Sequence, residues 1–94
     1  LVKELTVNSK SSISLQKHNH RSEHWLITHG KPEITINKQK FFKKPNDSVF
    51  IPTGAIHRIE NHFMQPVKII EIQTGPILKE SDIIRFKDVY GRVN

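Results

Sequence analysis

Six turn signals cut the first 75 residues into pieces too short for anything but strands: Asn8-Ser9-Lys10-Ser11, Gly30-Lys31-Pro32, Asn37-Lys38, Pro45-Asn46-Asp47, Pro52-Thr53-Gly54 and Asn61-His62. Gly, Pro, Asn and Asp punctuate a chain where neither helix nor strand continues, because they fix φ, tolerate left-handed backbone or bond their own main chain. Between the signals, alternating apolar and polar residues predict strands near 2–7, 12–18, 23–29, 32–37, 40–43, 47–51, 56–61 and 66–74. Short strands with a turn about every ten residues describe an antiparallel barrel or sandwich. After Gly75-Pro76 the alternation stops, and Ser81-Asp82 ahead of Ile83-Ile84 predicts a short C-terminal helical turn with a side-chain cap.

Ninety-four residues make one small domain, which buries only about 60–65% of its unfolded surface and is marginal alone. A partner subunit or a further segment is therefore expected. Leu1 leads directly into the alternating run Val2-Lys3-Glu4-Leu5-Thr6-Val7 with no initiator Met, which reads as a fragment of a longer chain. No apolar stretch is long enough to span a membrane and no signal-peptide pattern is present, so cytoplasm is the default location. The absence of Cys removes disulfides and thiolate ligands. The formal charge of +6 comes from 15 scattered Lys and Arg with one cluster at Lys38, Lys40, Lys43 and Lys44. That cluster reads as solvated hairpin lysines guarding a strand edge, and no nucleic-acid motif accompanies it. The positive field would still favour a phosphorylated sugar or a nucleotide.

The run His18-Asn19-His20-Arg21-Ser22-Glu23-His24, together with His57, packs imidazoles and carboxylate densely enough to hold a divalent metal. Strand alternation over 12–20 puts Ser14, Gln16, His18 and His20 on one face and Ile13, Leu15 and Lys17 on the other. With the polar set inside, Ile13 and Leu15 form an apolar outer stripe, which predicts a homodimer through that face. His57, Ile59 and Asn61 share a face, so His57 is free to join the metal, while Arg58 on the opposite face is expected to pair with Glu60 or Glu71. Uninterrupted parity from His20 selects His24 rather than Glu23 as the next inward side chain. Trp25 and Phe50 read as core, and His29 and His62, in turns, as surface groups. Neutral imidazoles with one carboxylate suit Zn2+ first, then Mn2+, Fe2+ or Co2+.

Pro52-x-Gly54-x-x-His57 followed by Asn61 resembles the second motif of the cupin superfamily, with Asn46 standing where that motif has its first Gly. The first cupin motif, His-x-His, three or four residues, Glu, six residues, Gly, is similar to His18, His20, Glu23 and Gly30, except that only two residues separate His20 from Glu23. Counting back from Gly30 selects Glu23 where parity selects His24. The shorter spacing looks like that of type II mannose-6-phosphate isomerase domains. The likeness runs from Ser14-Leu15-Gln16 through His24-Trp25, Ile51 to Asn61, Ile70-Glu71-Ile72-Gln73-x-Gly75, Asp82-Ile83-x-Arg85 and Asp88-x-Tyr90-Gly91-Arg92.

The resemblance implies an all-β cupin, a double-stranded β-helix or jelly-roll barrel, forming a single domain over 1–94 at the C-terminus of a bifunctional protein whose larger part is a mannose-1-phosphate guanylyltransferase. It implies interconversion of mannose 6-phosphate and fructose 6-phosphate, in the synthesis of GDP-mannose and polysaccharide precursors. The implied metal ligands are His18, His20, Glu23 and His57, with Gln16 a further candidate because type I isomerases use a Gln-x-His pair. Whichever of Glu23 and His24 is not a ligand is the first candidate base, and Glu71 the second. Arg21 is the leading phosphate clamp, with Arg85 and Arg92 behind it. Ile77 stands where Tyr is usual and Lys79 where Gly is usual, so tail contacts to substrate are weakened. The competing reading is a non-catalytic cupin that dimerises and regulates the nucleotidyltransferase. A stand-alone sugar-binding regulator would need DNA-binding helices for which this pattern has no room.

Overall fold

The computed structural model describes residues 1–86, and among them every regular element is a strand. The strands are β1 (Val2–Val7), β2 (Gln16–Lys17), β3 (Ser22–His29), β4 (Glu33–Ile36), β5 (Gln39–Phe42), β6 (Ser48–Ile51), β7 (His57–Glu60), β8 (Val67–Thr74) and β9 (Ile84–Arg85). They form two antiparallel sheets, β1-β8-β3-β6 and β5-β4-β7-β2-β9, whose inner faces enclose one core.

The sequence alternation transfers directly to the first sheet. On β3, Glu23, Trp25 and Ile27 point inward; on β8, Val67, Ile69, Glu71 and Gln73 do so. Their registers, Glu23↔Gln73, Trp25↔Glu71 and Ile27↔Ile69, grade the interior from polar at one end to apolar at the other. Ile34 and Ile59 complete the apolar end from the second sheet. The hydrophobic end supplies the free energy of collapse, and the polar end becomes the site.

Turn chemistry is equally legible. Asn46 sits at φ +77°, the left-handed region that the Gly of the motif would adopt and that Asn tolerates among L-residues. Asn61 ties its loop together: Nδ2 donates to Val7 O, Asn8 O and Gln65 O, while Oδ1 accepts from Phe63 N. β5 is a sheet edge, as the lysine cluster suggested. Lys40 pairs with Glu60 at 3.8 Å, Lys44 with Asp47 at 3.3 Å, and Lys43 lies over the Phe41 ring.

Four expectations are corrected. The strand expected over 12–18 is only a bridge at Ser12 and the two-residue β2, because Ile13 bonds Ile59 O and the intervening chain leaves the ladder. Parity therefore breaks, and Ile13 packs against the core and lines the central cavity instead of an outer stripe, with Leu15 half-buried. In place of the C-terminal helical turn there is one non-helical reverse turn, closed by Asp82 N donating to Lys79 O (2.9 Å) and followed by β9. So short a helix has few internal bonds to offset its nucleation, whereas β9 finds ready partners along β2, and Phe86 N finds Leu15 O. Phe50, expected in the core, is 48% exposed on the outer face of the first sheet. There it continues one cross-strand row, Val2–Ile72–His24–Phe50, all exposed.

Candidate metal centre

His18, Glu23 and His57 converge at the polar end, with one ligating atom from each lying within 4.8 Å of the others. All three are at most 4% exposed. β7 delivers His57 beside β2, and the first residues of β3 deliver Glu23. Both imidazoles are pre-set: Nδ1 of His18 donates to Asp82 O (2.9 Å) and Nδ1 of His57 to Ala55 O (3.0 Å). The hydrogen-bond partners therefore assign the proton to Nδ1 and leave Nε2 as the lone-pair atom, the arrangement that metal-ligating histidines adopt. His18 Nε2 stands 3.3 Å from Glu23 Oε2. Burial lowers the His57 pKa below the ordinary 6.5, which favours the neutral ring a metal needs. Trp25 orients the carboxylate by donating Nε1 to Glu23 Oε1 at 2.8 Å, and its ring meets His57 edge-on.

His20 does not join this group. Its ring is half-exposed and its Nδ1 pairs with Asp82 Oδ1 at 2.9 Å. The strict alternation that put it beside His18 fails because residues 18–21 form a bend between β2 and β3. Gln16, in contrast, lines the central cavity opposite His57 on β2, with its Nε2 donated to Ser14 O (3.1 Å), which leaves Oε1 as the ligating end. Reading Gln16-x-His18, four residues, Glu23 restores the first-motif spacing that His18-x-His20 violated. His24 is also excluded: it points outward, its ring tilted 4.7 Å from that of Phe50.

The cavity beside the cluster, about 170 Å³, is also lined by Arg21, Glu71 and Arg85, together with Lys3 and Glu80, which the sequence reading missed. Lys3 was discoverable, since it shares the parity of Leu5 and Val7 on β1. Lys3 Nζ bonds Glu80 Oε2 at 3.2 Å across the rim. A volume below the roughly 300–1,000 Å³ of clefts for drug-sized ligands suits a single small polar molecule.

Arg21 is 5% exposed and largely committed: its Nε and Nη2 each lie 2.9 Å from Glu23 Oε2, and Nη2 also donates to His18 Nε2 at 3.2 Å. Its Nη1 is buried without a hydrogen-bond partner among the described residues. Arg58, expected beside Glu60 or Glu71, is buried and donates Nη2 to Ser12 Oγ at 3.0 Å. Burial pushes the Glu71 carboxyl above the usual 4.5; the hydrogen bond from Gln73 opposes this, and the charge of Glu23 adds to it. Arg92 lies outside the described residues. A second group, Glu33, Glu60 and His62, also gathers within 4.8 Å, with His62 Nε2 2.7 Å from Glu33 Oε1 and Lys40 3.8 Å from Glu60.

The donor set fits a divalent metal: two Nδ1-anchored imidazoles, one carboxylate and one amide, with Arg21 the cation now balancing Glu23. The family described as "Mannose-6-phosphate isomerase C-terminal" matches residues 1–88. The alginate biosynthesis protein AlgA of Pseudomonas putida is 45% identical over 93 residues, covering 99% of this chain and 19% of that protein. A mannose-1-phosphate guanylyltransferase of Klebsiella pneumoniae is 46% identical over 91 residues, covering 97% of this chain and 19% of that protein. The chain thus spans about a fifth of the length of these relatives. Among solved structures, a double-stranded β-helix protein from Klebsiella pneumoniae superposes with a TM-score of 0.79 at 15% identity, covering 93% of this chain and 74% of that one. The cupin domain of Cnp3 from Schizosaccharomyces pombe gives 0.77 at 19% identity, covering 80% and 52%. Both likenesses show the fold alone, a cupin barrel.

Proposed function

The chain belongs to the mannose-6-phosphate isomerase C-terminal family, and from that premise we propose that it is a metal-dependent aldose–ketose isomerase interconverting mannose 6-phosphate and fructose 6-phosphate. One observation carries the reading: the buried carboxyl of Glu71, raised by its surroundings, shares a small cavity with the His18–Glu23–His57 cluster. Isomerisation needs a group to carry a proton between two adjacent carbons, and a carboxyl whose pKa is raised by burial is a better proton acceptor than an ordinary carboxylate. With Glu23 engaged by Arg21 and Trp25 and His24 outside the barrel, Glu71 takes the role of base.

Gln16, His18, Glu23 and His57 would hold the metal, Zn2+ first and Mn2+, Fe2+ or Co2+ after it. When bound, it supplies polarisation of the carbonyl and stabilisation of the developing oxyanion. Arg21, through Nη1, and Arg85 at the rim anchor the phosphate; Trp25 fixes Glu23; Glu71 moves the proton. The substrate places this chemistry in GDP-mannose and polysaccharide precursor synthesis, in the cytoplasm.

The test is an assay of metal-loaded protein on mannose 6-phosphate with detection of fructose 6-phosphate. Glu71→Gln should lower kcat by roughly 10²–10⁴, the usual worth of a general base, with metal content unchanged. A metal-loaded wild-type protein without activity would overturn the isomerase reading. The second reading, a non-catalytic module of a mannose-1-phosphate guanylyltransferase, draws support from the relative of that name, of which this chain matches only 19%. A homodimer remains part of the proposal, with its contact moved from Ile13 and Leu15 to the exposed Val2–Ile72–His24–Phe50 row.

A further inference from the structure

We propose that Asp82 is a positioning residue that sets His18 for its ligand role, and that His20 is the latch on Asp82 and not a metal ligand. The proposal rests on the metal reading above for its consequence and on hydrogen bonds for its geometry. The bend at 18–20 lies outside any sheet ladder, so its shape must be held by other means. Asp82 supplies them from 62 to 64 residues away. Its carboxylate accepts from Asn19 N (3.2 Å), His20 N (2.8 Å) and His20 Nδ1 (2.9 Å), while its carbonyl oxygen accepts from His18 Nδ1 (2.9 Å). Two consecutive backbone N–H groups converging on one carboxylate make an anion nest, and the Asp82 side chain that fills it is only 5% exposed.

The two halves of Asp82 thus do different work. The carboxylate fixes the loop that carries His18, and the carbonyl fixes the tautomer and tilt of the His18 ring, which leaves Nε2 facing Glu23. A ligand's outer partner is commonly worth 10–100-fold in metal affinity. His20 contributes one of three bonds to the carboxylate and leaves its ring half in solvent, where the barrel interior is out of reach.

The test measures Zn2+ affinity of the 94-residue chain by competition with a chromophoric chelator, and reads histidine tautomers by ¹H–¹⁵N NMR without added metal. Asp82→Ala should weaken Zn2+ binding about 10–100-fold and, by unmooring the segment whose main-chain carbonyl accepts from His18 Nδ1, release His18 from the Nδ1–H form while His57 keeps it. Asp82→Asn, which retains a carbonyl acceptor for one backbone N–H, should fall between it and wild type. His20→Ala should cost no more than about fivefold, the scale of one partly exposed hydrogen bond, whereas His57→Ala should lose binding steeply. An Asp82→Ala protein with wild-type affinity and an unchanged His18 tautomer would overturn the positioning role; a His20→Ala loss as severe as that of His57→Ala would restore His20 as a ligand. If Asp82→Ala does not fold, Asp82→Asn and His20→Ala decide the matter alone. A wild type that takes up no Zn2+ sinks the metal reading, while His18 held as Nδ1–H together with slow amide exchange at Asn19 and His20 would still uphold the latch.

Discussion

The β3–β8 ladder and the pair of segments 12–20 and 76–86 both serve the same cavity, yet they are built on different principles. In the ladder, each inward residue is fixed by backbone pairing, so Glu23, Trp25 and Ile27 follow one another with a period of two. In the other pair, short stretches touch at Gln16↔Arg85 and Lys17↔Ile84, and the rest is held by side chains bonding to main chain, above all by Asp82. Sequence alternation reports the face of a residue only where a ladder enforces it. Elsewhere the side chains choose the backbone, and parity carries no information.

The largest effect that sharpens this contrast comes from the ladder's polar end. Glu23→Ala leaves the Arg21 guanidinium buried beside His18 with its counter-charge removed, which should cost about 3–5 kcal/mol of stability in urea unfolding. A loss under 1 kcal/mol would show that the pair is already solvated. Next is the ladder's apolar end, where Ile27→Ala should cost about 2–5 kcal/mol, and more than Ile13→Ala, because Ile27 is fully buried and Ile13 only partly. Equal losses would erase the distinction between the two regions. At the turn between β5 and β6, Asn46→Val should cost about 1–2 kcal/mol, the strain of a β-branched residue in the left-handed region, whereas Asn46→Gly should be near neutral.

Smaller still are the pH slopes without metal. His57 folds with its pKa lowered, so the unfolded chain binds more protons in the window below 6.5, and stability contributed by the neutral ring is lost as pH falls through that window. Glu71 folds with its pKa raised, so the native state holds the extra proton above 4.5, and stability declines as pH rises toward the folded value. Urea midpoints across mildly acidic to neutral pH should lose the first slope in His57→Gln and the second in Glu71→Gln. An unchanged profile in either variant would remove that group from the balance. Finally, Phe50→Glu should leave stability within about 0.5 kcal/mol, as exposed substitutions do, while converting a dimer to a monomer in sedimentation experiments. A wild type that sediments as a monomer would remove the dimer from the proposal.

Much of this molecule can be read from its residues. Seven of the strands follow from alternation and turns, Asn46 from its tolerance of positive φ, and the meeting of Glu23 with His57 from motif spacing. What escaped did so for a physical reason. Parity misplaces His20 and Ile13 because their stretch lacks continuous pairing, Phe50 is apolar enough for a core yet occupies the outer parity of its strand, and Asp82 has the residue type of a helix cap. A cap is the right chemistry with the wrong recipient: the carboxylate does bond backbone N–H groups, but they belong to a loop more than sixty residues earlier.

Gly75 is pressed against this same loop. A side chain there would collide with the His20 carbonyl and come within 2.7 Å of Arg21 Cα, so only glycine lets the end of β8 lie against the bend. The segment that follows is therefore tethered at one point and moored again at Asp82, with only 76–81 between. A tether this short keeps the detached carboxylate at high effective concentration near its nest, because the entropy of closing so small a loop is slight. Detachment of Asp82 should accordingly be brief and local, reversing before the rest of the barrel responds.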